Sequence, residues 1–408
     1  MLFAVNNMFK LIITLMRPAY YVALSLVIIL AGQAHAESLI IWASNEVNPR
    51  ALQDSGKQFT TDTGVSVEVK SITGFKAMKA ALASNRQRPD IIIWPHNRFG
   101  HWAEEQILRP VKPSKKIIKD LSDEWHAVTY AGEVYGYPIS LQGPVFIVNK
   151  QLVKKAPKSW DDLQKLSESL SLQGKVVMSW DYTNIYLTYP LLSAEGGFLF
   201  EPTKKGWDIE SMGVSNDGSV QGLTLLKSLV SADVLPPNAG YRQSAQLFSS
   251  SKSAMTIDGP WSWQTFRRSG VDLGVASFPK VKNNHGKGLY TVMSAGITMS
   301  SEQENLAKSF IEHYIFSDKT LSSLASKQSP AQYTHKNFMK AHMKELQDTD
   351  EVLARNLEAA IAVWQEGEPL PNVSALPGLN NHMAIAIHAL ISGRMGVSEA
   401  LEEVANNF

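Results

Sequence analysis

The stretch from Trp94 to Arg98 places an aromatic ring, an amide (Asn97) and a guanidinium within five residues. Flat aromatic rings cover apolar C–H faces, and Arg, Asn, Asp and Glu side chains satisfy hydroxyl groups in pairs. A pyranose sugar has both kinds of surface, so this combination suits sugar binding. The alternative for Arg98 is a buried salt bridge that braces the loop.

Four tryptophans lie where a short apolar run gives way to polar residues, Gly or Pro. The apolar runs predict strands buried on both faces, as in parallel sheets. Ligands of open α/β sheets bind beyond the carboxyl ends of the strands. We therefore expect the four rings to line one cleft, although any single one could lie at the rim of a core. The four are Trp42, Trp94, Trp180 and Trp261.

Catalytic motifs are absent from the sequence. There is no G-x-S-x-G, P-loop, G-x-G-x-x-G or HExxH pattern. A glycosidase would need two carboxyls that flank a bond, and three acids near predicted strand ends could be recruited. Acids at such positions are more commonly caps or turn residues. We expect a protein that is not an enzyme; the three acids are Asp181, Glu195 and Asp258.

The sequence shows no spacing of side chains that is typical of a metal site. The absence of cysteine excludes disulfides, thiolate catalysis and Cys-ligated metal centres. Two histidine pairs could each share a helical face, but neither has a placed carboxylate or third ligand. We expect no metal and no cofactor; the pairs are His96 with His101 and His335 with His342.

The elements that must position these residues alternate along the chain between buried strands and amphipathic helices. Such alternation predicts an α/β fold with helices on both faces of the sheets. Predicted strands contain Leu39 to Trp42, Ile91 to Trp94, Val176 to Trp180 and Ala254 to Ile257. Predicted helices cover Pro49 to Thr61, Gly74 to Ala83, Ser159 to Leu172, Gln221 to Ala232, Glu302 to Phe316 and Glu351 to Gln365.

Length and composition limit the alternatives. With 408 residues and 44% hydrophobic residues, the chain is long enough for two domains with sizeable cores. A formal net charge of +1 leaves no broad basic field for nucleic acid. No flexible linker marks a boundary, which favours tight crossings between two lobes over a tether.

The N-terminal segment resembles an export signal. Lys10 and Arg17 precede an apolar run from Tyr20 to Gly32, and small residues flank His35 at its end. This order of basic, apolar and small residues is typical of a cleavable secretory signal. We expect cleavage after Ala36 and a periplasmic product without a lipid anchor, because no cysteine follows. An uncleaved membrane anchor is the alternative.

Several collinear segments make the chain similar to the periplasmic maltose/maltodextrin-binding protein family, solute-binding components of ABC importers. The resemblance covers essentially the whole chain after residue 36. The segments that carry it are Arg88 to Gly100, Tyr137 to Ser140, Ile147 to Lys150, Pro157 to Asp162, Tyr189 to Gly197, Ala254 to Trp263 and Ser294 to Ile297.

The resemblance implies a two-lobed periplasmic-binding-protein fold with a ligand cleft between discontinuous lobes. Lobe 1 is expected to contain residues 37–141 and 294–345, and lobe 2 residues 145–290 and 350–408. Hinge crossings are expected near residues 141–145, 290–294 and 345–350. The region from Thr320 to Asp350 looks longer than the family's usual helices, and its role is unassigned.

The resemblance also implies ligand-binding residues. Aromatic platforms match at four positions and the hydroxyl-binding arginine at one. Four polar residues complete the set, although three differ from the family in type and Glu46 keeps a carboxylate with longer reach. The predicted ligand-binding residues are Trp94, Tyr186, Tyr241, Trp261, Arg98, Asn97, Glu46, Gln142 and Asn184.

The sequence departs from the family near its C-terminus. A tryptophan platform and an arginine of the family correspond to Asn380 and Ala384, so one platform is expected to be missing. The resemblance thus predicts a monomeric receptor that delivers maltose or maltodextrin to an inner-membrane ABC permease. The alternatives are the same role for another oligosaccharide, a carbohydrate-active enzyme, or a chaperone-like or signalling protein.

Overall fold

The computed structural model describes residues 38–84, 88–238, 240–325 and 330–408. The predicted export signal, residues 1–36, lies outside the described residues. Within these ranges, no helix is both long and apolar enough to cross a lipid bilayer.

The described strands form two main sheets and three small ribbons. They are β1 Ser38–Ser44, β2 Ser66–Ile72, β3 Ile91–Pro95, β4 Thr129–Tyr130, β5 Glu133–Val134, β6 Tyr137–Gln142, β7 Val145–Asn149, β8 Val176–Met178, β9 Glu201–Thr203, β10 Gly206–Asp208, β11 Ser253–Asp258, β12 Leu273–Ala276, β13 Lys280–Val281, β14 Asn284–His285, β15 Leu289–Ile297, β16 Gln332–Tyr333 and β17 Glu368–Pro369.

The larger sheet forms the first lobe. Its strand order is β16-β6-β15-β3-β1-β2, and β17 pairs with the start of β15. Strands β1, β2 and β3 run parallel, as the buried apolar runs predicted, whereas β15 is antiparallel to both β3 and β6. The carboxyl ends of β1 and β3 therefore reach the same edge of the sheet.

The smaller sheet forms the second lobe. Its order is β12-β7-β11-β8, with β8 and β11 parallel and β7 antiparallel to β11 and β12. The two lobes make a mixed α/β fold, as expected. The chain leaves the larger sheet after Gln142 and enters the smaller one at Val145. It returns through β15, which pairs with β6 from Thr291 onward.

The helices cover both sheets. Two have the bounds that the sequence predicted, Gly74–Ala83 and Glu351–Gln365. The described α-helices are α1 Pro49–Thr63, α2 Gly74–Ala83, α3 Phe99–Glu104, α4 Lys115–Asp120, α5 Trp160–Ser171, α6 Ile185–Ser193, α7 Asp217–Ser231, α8 Tyr241–Ser249, α9 Pro260–Arg268, α10 Glu304–Ser309, α11 Asp318–Leu324, α12 Lys336–Thr349, α13 Glu351–Gln365, α14 Leu376–Ile391 and α15 Val397–Asn406.

Side-chain alternation divides the first-lobe core between the two faces of its sheet. Leu39, Ile41 and Ile93 belong to one apolar cluster, whereas Trp42 and Ile92 belong to another on the opposite face. Successive side chains of a strand point to opposite faces, so helices must cover both sides. A third cluster fills the second lobe.

The expectation that four strand-end tryptophans line the cleft is wrong for three of them. Trp42 and Trp94 are 3% and 5% exposed, and the Trp94 ring lies 6.3 Å from the Trp102 ring. Trp180 is fully buried, and its Nε1 donates to Thr188 Oγ1 at 3.1 Å. Trp42 and Trp94 lie on a covered face of β1 and β3, and Trp180, two residues beyond β8, packs in the second-lobe core. Of the four tryptophans, Trp261 is the one that reaches the crevice, in the first turn of helix α9.

Candidate functional site

A cavity of about 760 Å³, which we call the ligand cavity, lies between the two lobes. The first lobe contributes residues beyond the ends of β1 and β3 and from β6 and β15. The second lobe contributes residues from helices α6 and α9. The lining residues are Asn45, Glu46, Pro95, Asn97, Gln142, Tyr186, Trp261, Gln264, Thr265 and Thr291.

The second-lobe wall of the ligand cavity is aromatic. The rings of Tyr186 and Trp261 are nearly parallel, with centroids 6.3 Å apart and an interplanar angle of 19°. Both rings are half-buried and lie in the first turn of their helices. Asn184 caps the Tyr186 helix, because its Oδ1 accepts from Tyr186 N at 3.1 Å. Asn184 was predicted to bind the ligand, and in the structure it caps the helix that carries Tyr186.

Tyr241 supports this wall from behind. The Trp261 Nε1 donates to the Tyr241 hydroxyl at 3.0 Å, and that hydroxyl donates to Asp258 Oδ1 at 3.3 Å. Asp258 is 2% exposed, and burial raises its pKa to about 6 despite bonds from Ser262 and the Gly259 backbone. Tyr241 is 42% exposed but does not line the cavity. It was predicted to stack on a sugar; in the structure its hydroxyl instead bonds the indole of Trp261.

The first-lobe wall is polar. Glu46, Asn97 and Gln142 were predicted to bind hydroxyls, and the structure brings all three to the ligand cavity. The Glu46 side chain contacts solvent, yet the surrounding protein partly desolvates its carboxylate and raises its pKa. The Tyr186 hydroxyl donates to the Gln142 carbonyl at 3.3 Å, so this pair joins the two lobes beside the first crossing.

The structure does not bring Trp94 and Arg98 to the ligand cavity. Trp94 packs in the first-lobe core, because its side chain lies on the covered face of β3. The Arg98 guanidinium stacks on the Phe75 ring, with its Cζ 3.9 Å from the ring centroid. Burial there lowers the pKa of Arg98. Arg98 therefore packs against its own lobe through the Phe75 ring. This contact is neither the predicted sugar contact nor the alternative salt bridge.

Asn380 and Ala384 lie on helix α14, and neither belongs to the lining of the ligand cavity. The Asn380 Oδ1 is buried without a hydrogen-bond partner. The missing platform that the resemblance predicted at these positions therefore stays a prediction, and the second-lobe rings that line the ligand cavity are those of Tyr186 and Trp261.

Sequence reasoning missed five lining residues: Asn45, Pro95, Gln264, Thr265 and Thr291. Gln264 lies three residues after Trp261 on helix α9, so it shares that helix face, and helical periodicity could have identified it. Asn45 and Pro95 lie at strand ends next to predicted site residues. Thr291 carries no comparable signal, because its position depends on which strand neighbours β6.

The described residues contain no group of three side chains that could hold a metal ion. His96 is fully buried: its Nε2 donates to the Leu370 carbonyl, and its Nδ1 accepts from Val292 N–H, each at 2.8 Å. Burial lowers its pKa to about 3, so the ring is neutral. His96 is therefore a bridge between chain segments.

Among the described lining residues, Glu46 is the one carboxylate, whereas glycoside hydrolysis normally needs two. Of the other candidate acids, Glu195 pairs with Lys282 at 3.3 Å, and Asp258 lies beneath the aromatic wall. The lining can therefore stack on an apolar face and bond hydroxyls, but it does not hold the usual pair of catalytic carboxyls.

Comparison with known proteins agrees with this geometry. A maltooligosaccharide ABC transporter solute-binding lipoprotein of Streptococcus pneumoniae is 25% identical over 388 residues, which cover 91% of this chain and 88% of the relative. A maltodextrin-binding protein of Bacillus subtilis is 25% identical, covering 86% and 84%. A galactooligosaccharide-binding protein of the same species is 24% identical, covering 92% and 89%.

The sequence pattern of the bacterial extracellular solute-binding proteins matches residues 43–320. This range contains both sheets' central strands and every residue that lines the ligand cavity. The described fold is that of two α/β lobes with a cleft between them, and the proteins of this family bind solutes. The chain belongs to the family of bacterial extracellular solute-binding proteins.

Proposed function

We propose that the chain captures an oligosaccharide, with maltose or maltodextrin as the first candidates, and delivers it to an ABC importer. One observation carries this proposal: the stacked rings of Tyr186 and Trp261 face hydroxyl-binding side chains across the ligand cavity. Rings cover the C–H faces of pyranoses, and amides and carboxylates bond their hydroxyls. Two of the relatives are named for maltooligosaccharides or maltodextrin and one, at nearly the same identity, for galactooligosaccharides, so a galactose-type glycan is the alternative ligand.

The proposed ligand contacts follow from the lining. Trp261 and Tyr186 stack on sugar rings, while Glu46, Asn97 and Gln142 take hydroxyl groups from the other wall. Tyr241 and Asn184 act indirectly, by holding Trp261 and the Tyr186 helix. A neutral glycan is preferred over an acidic one, because a carboxylate in the lining would repel a second negative charge.

The proposal includes closure of the two lobes on the sugar. The lobes would comprise residues 37–141 with 294–345 and residues 145–290 with 350–408, joined near 141–145, 290–294 and 345–350. A ligand shifts such an equilibrium only by its higher affinity for the closed form. Small-angle scattering should show a smaller radius of gyration with saturating maltotriose, and an unchanged radius would contradict closure.

The remaining parts of the proposal concern location and assembly. The signal-like pattern of residues 1–36 supports export to the periplasm, and the permease would read the closed form there. We expect the mature chain to be a monomer in light scattering. Mass spectrometry of the periplasmic product should find Glu37 as the first residue, and retention of residues 1–36 would contradict the cleavage.

Calorimetric titration tests the central claim directly. The mature chain should bind at least one of maltose, maltotriose and β-1,4-galactotriose, with trehalose as a comparison disaccharide. A response to the galactose series alone would replace the maltodextrin assignment but keep the transport role. Failure to bind any oligosaccharide of the panel would refute the proposed function, and release of sugar products would indicate an enzyme.

A further inference from the structure

A second cavity of about 480 Å³, which we call the side pocket, extends from the ligand cavity into the first lobe. Five residues line both spaces, so the two are continuous. The N-terminal end of helix α1 lies on one side of the side pocket, and the larger sheet lies on the other. The shared residues are Asn45, Glu46, Pro95, Gln142 and Thr291.

One row of residues across the larger sheet contributes to this wall. Tyr333 of β16 pairs with Ser140 of β6, Ser140 pairs with Met293 of β15, and Met293 pairs with Pro95 of β3. Residues directly opposite each other on neighbouring strands point to the same face of a sheet. All four line the side pocket. The sheet therefore forms one wall of the side pocket, and the strand register determines which side chains lie in that wall.

Tyr333 presents an unused polar group there. Its side chain is 6% exposed, and edge contacts with the Phe338 and His342 rings, at 5.3 and 6.2 Å, hold its ring. No described residue forms a hydrogen bond with its hydroxyl. Polar groups in such buried positions nearly always have a partner. The hydroxyl is thus available to a ligand in the side pocket.

The chemistry of the side pocket matches that of a sugar unit. Ile93, Ile139 and Met293 supply apolar surface, and the hydroxyls of Ser140 and Tyr333 supply hydrogen-bonding groups. The charged side chains among its described lining residues are Glu46 and Arg50, which are opposite in sign. A neutral, hydroxyl-rich group of modest size therefore fits this lining better than an ion or an alkyl chain.

We propose that the side pocket is a subsite that holds the terminal sugar unit of an oligosaccharide, whose other units lie against Tyr186 and Trp261. This inference rests on the proposed function. The shared lining residues provide a continuous path between the two places. The subsite predicts that affinity rises with chain length until the side pocket is filled.

Two variants test the subsite. Tyr333→Phe removes only the hydroxyl, and Ser140→Leu fills the pocket from the neighbouring strand. Tyr333→Phe should weaken maltotriose or maltotetraose binding by about fivefold, the usual effect of one lost hydrogen bond. Ser140→Leu should weaken it at least as much, because the leucine occupies the subsite, and each variant should change maltose binding by less than about twofold. The matched control is Tyr314→Phe, which removes a hydroxyl that bonds Asp62 in the last turn of helix α1, outside the lining of the side pocket.

Calorimetry of the folded mature chain should use maltose, maltotriose, maltotetraose and β-1,4-galactotriose, with circular dichroism to confirm folding. A length-dependent loss in Tyr333→Phe that is absent from Tyr314→Phe supports the subsite. Equal affinities of wild type and both variants for every bound sugar overturn it and leave a solvent-filled recess. A wild-type chain that binds none of these sugars overturns the proposed function instead. If Ser140→Leu fails to fold, the near-isosteric Tyr333→Phe variant decides alone.

Discussion

The indole Nε1 of Trp261 donates a hydrogen bond to the Tyr241 hydroxyl at 3.0 Å. This bond joins the first turn of helix α9 to the first turn of helix α8, and Asp258 at the end of β11 accepts the next bond. Three elements of the second lobe therefore set the orientation of one ring. A ring held in this way loses less conformational entropy when a ligand stacks on it.

Replacing Trp261 with alanine should weaken oligosaccharide binding by roughly thirtyfold, about 2 kcal/mol, and should hardly change thermal stability. The reason is that Trp261 is half-buried at the cavity. Trp263 on the same helix is the control, because it is 1% exposed and its alanine variant should cost about 3–5 kcal/mol of unfolding free energy. Calorimetric titrations and thermal melts of both variants measure the contrast, and equal losses for Trp261→Ala in both assays would make its ring structural.

Gly259→Ala should displace the Trp261 ring, because a methyl group added at Gly259 would overlap its six-membered ring. We expect sugar affinity to fall at least about tenfold while the fold is kept, since the ring can move toward the cavity. Gly378→Ala is the control, because the nearest neighbour there is Phe408 at ordinary contact distance. Titration of both variants with maltotriose checks this, and an unchanged affinity in Gly259→Ala would be evidence against ring positioning.

Because the pKa of Asp258 is raised, its contribution to the free energy of unfolding should decrease as pH rises from about 4 to about 7. Burial raises its pKa from 3.8 to about 6, so between these values the folded chain holds a proton that the unfolded chain has released. The stabilisation is complete below the unfolded value and is lost as pH passes the folded value. Relative to wild type, Asp258→Asn should therefore gain about 2–3 kcal/mol across this range.

Urea unfolding at several pH values measures this difference between Asp258→Asn and wild type. Subtraction removes the contributions of the other carboxyls, which both proteins share. Asp272→Asn is a suitable control, because Asp272 lies at the surface and pairs with Lys150. A difference between Asp258→Asn and wild type that stays constant with pH would mean that Asp258 is not protonated in the folded chain.

His96→Ala should lower the free energy of unfolding by about 3–5 kcal/mol. The change leaves the Val292 N–H and the Leu370 carbonyl without partners and opens a cavity at a fully buried position. His101→Ala, beside Glu104 and Glu105, should cost less than about 1 kcal/mol. Denaturant titrations compare the two, and similar small losses would remove the bridging role of His96.

His96 should also contribute to acid destabilisation. Its pKa is lowered to about 3, so the unfolded chain binds a proton at a higher pH than the folded chain does. The stability contributed by the neutral ring is therefore present above about 6.5 and is lost as pH falls toward 3. His96→Gln should weaken this loss between pH 6 and 4 in thermal melts, whereas an unchanged slope would refute the assignment.

Local patterns predicted most of the elements that surround the site. The apolar runs of β1, β3, β8 and β11 became parallel strands, and Ser159 caps its helix through a reciprocal bond with Asp162. These signals depend on neighbours along the chain.

Two helices have bounds that differ clearly from the prediction. The predicted helix from Glu302 to Phe316 ends its α-helical part at Ser309 and continues as a π-helical turn. Helix α7 begins at Asp217, four residues before the predicted start at Gln221. Gly218 and Gly222 weaken the helical pattern there, whereas the Asn216 cap fixes the start of the helix.

The sequence alone was sufficient for the α/β class, the resemblance to a solute-binding family and three polar residues of the first-lobe wall, Glu46, Asn97 and Gln142. It could not decide which tryptophans reach the crevice. Trp94 and Trp261 have the same chemistry and similar flanking residues, yet one belongs to the covered face of a strand and the other begins a helix at the opening. Strand register likewise placed Tyr333, Ser140 and Met293 in one row. Exposure and register depend on contacts between segments far apart in the chain, and such contacts exist only once the lobes have packed.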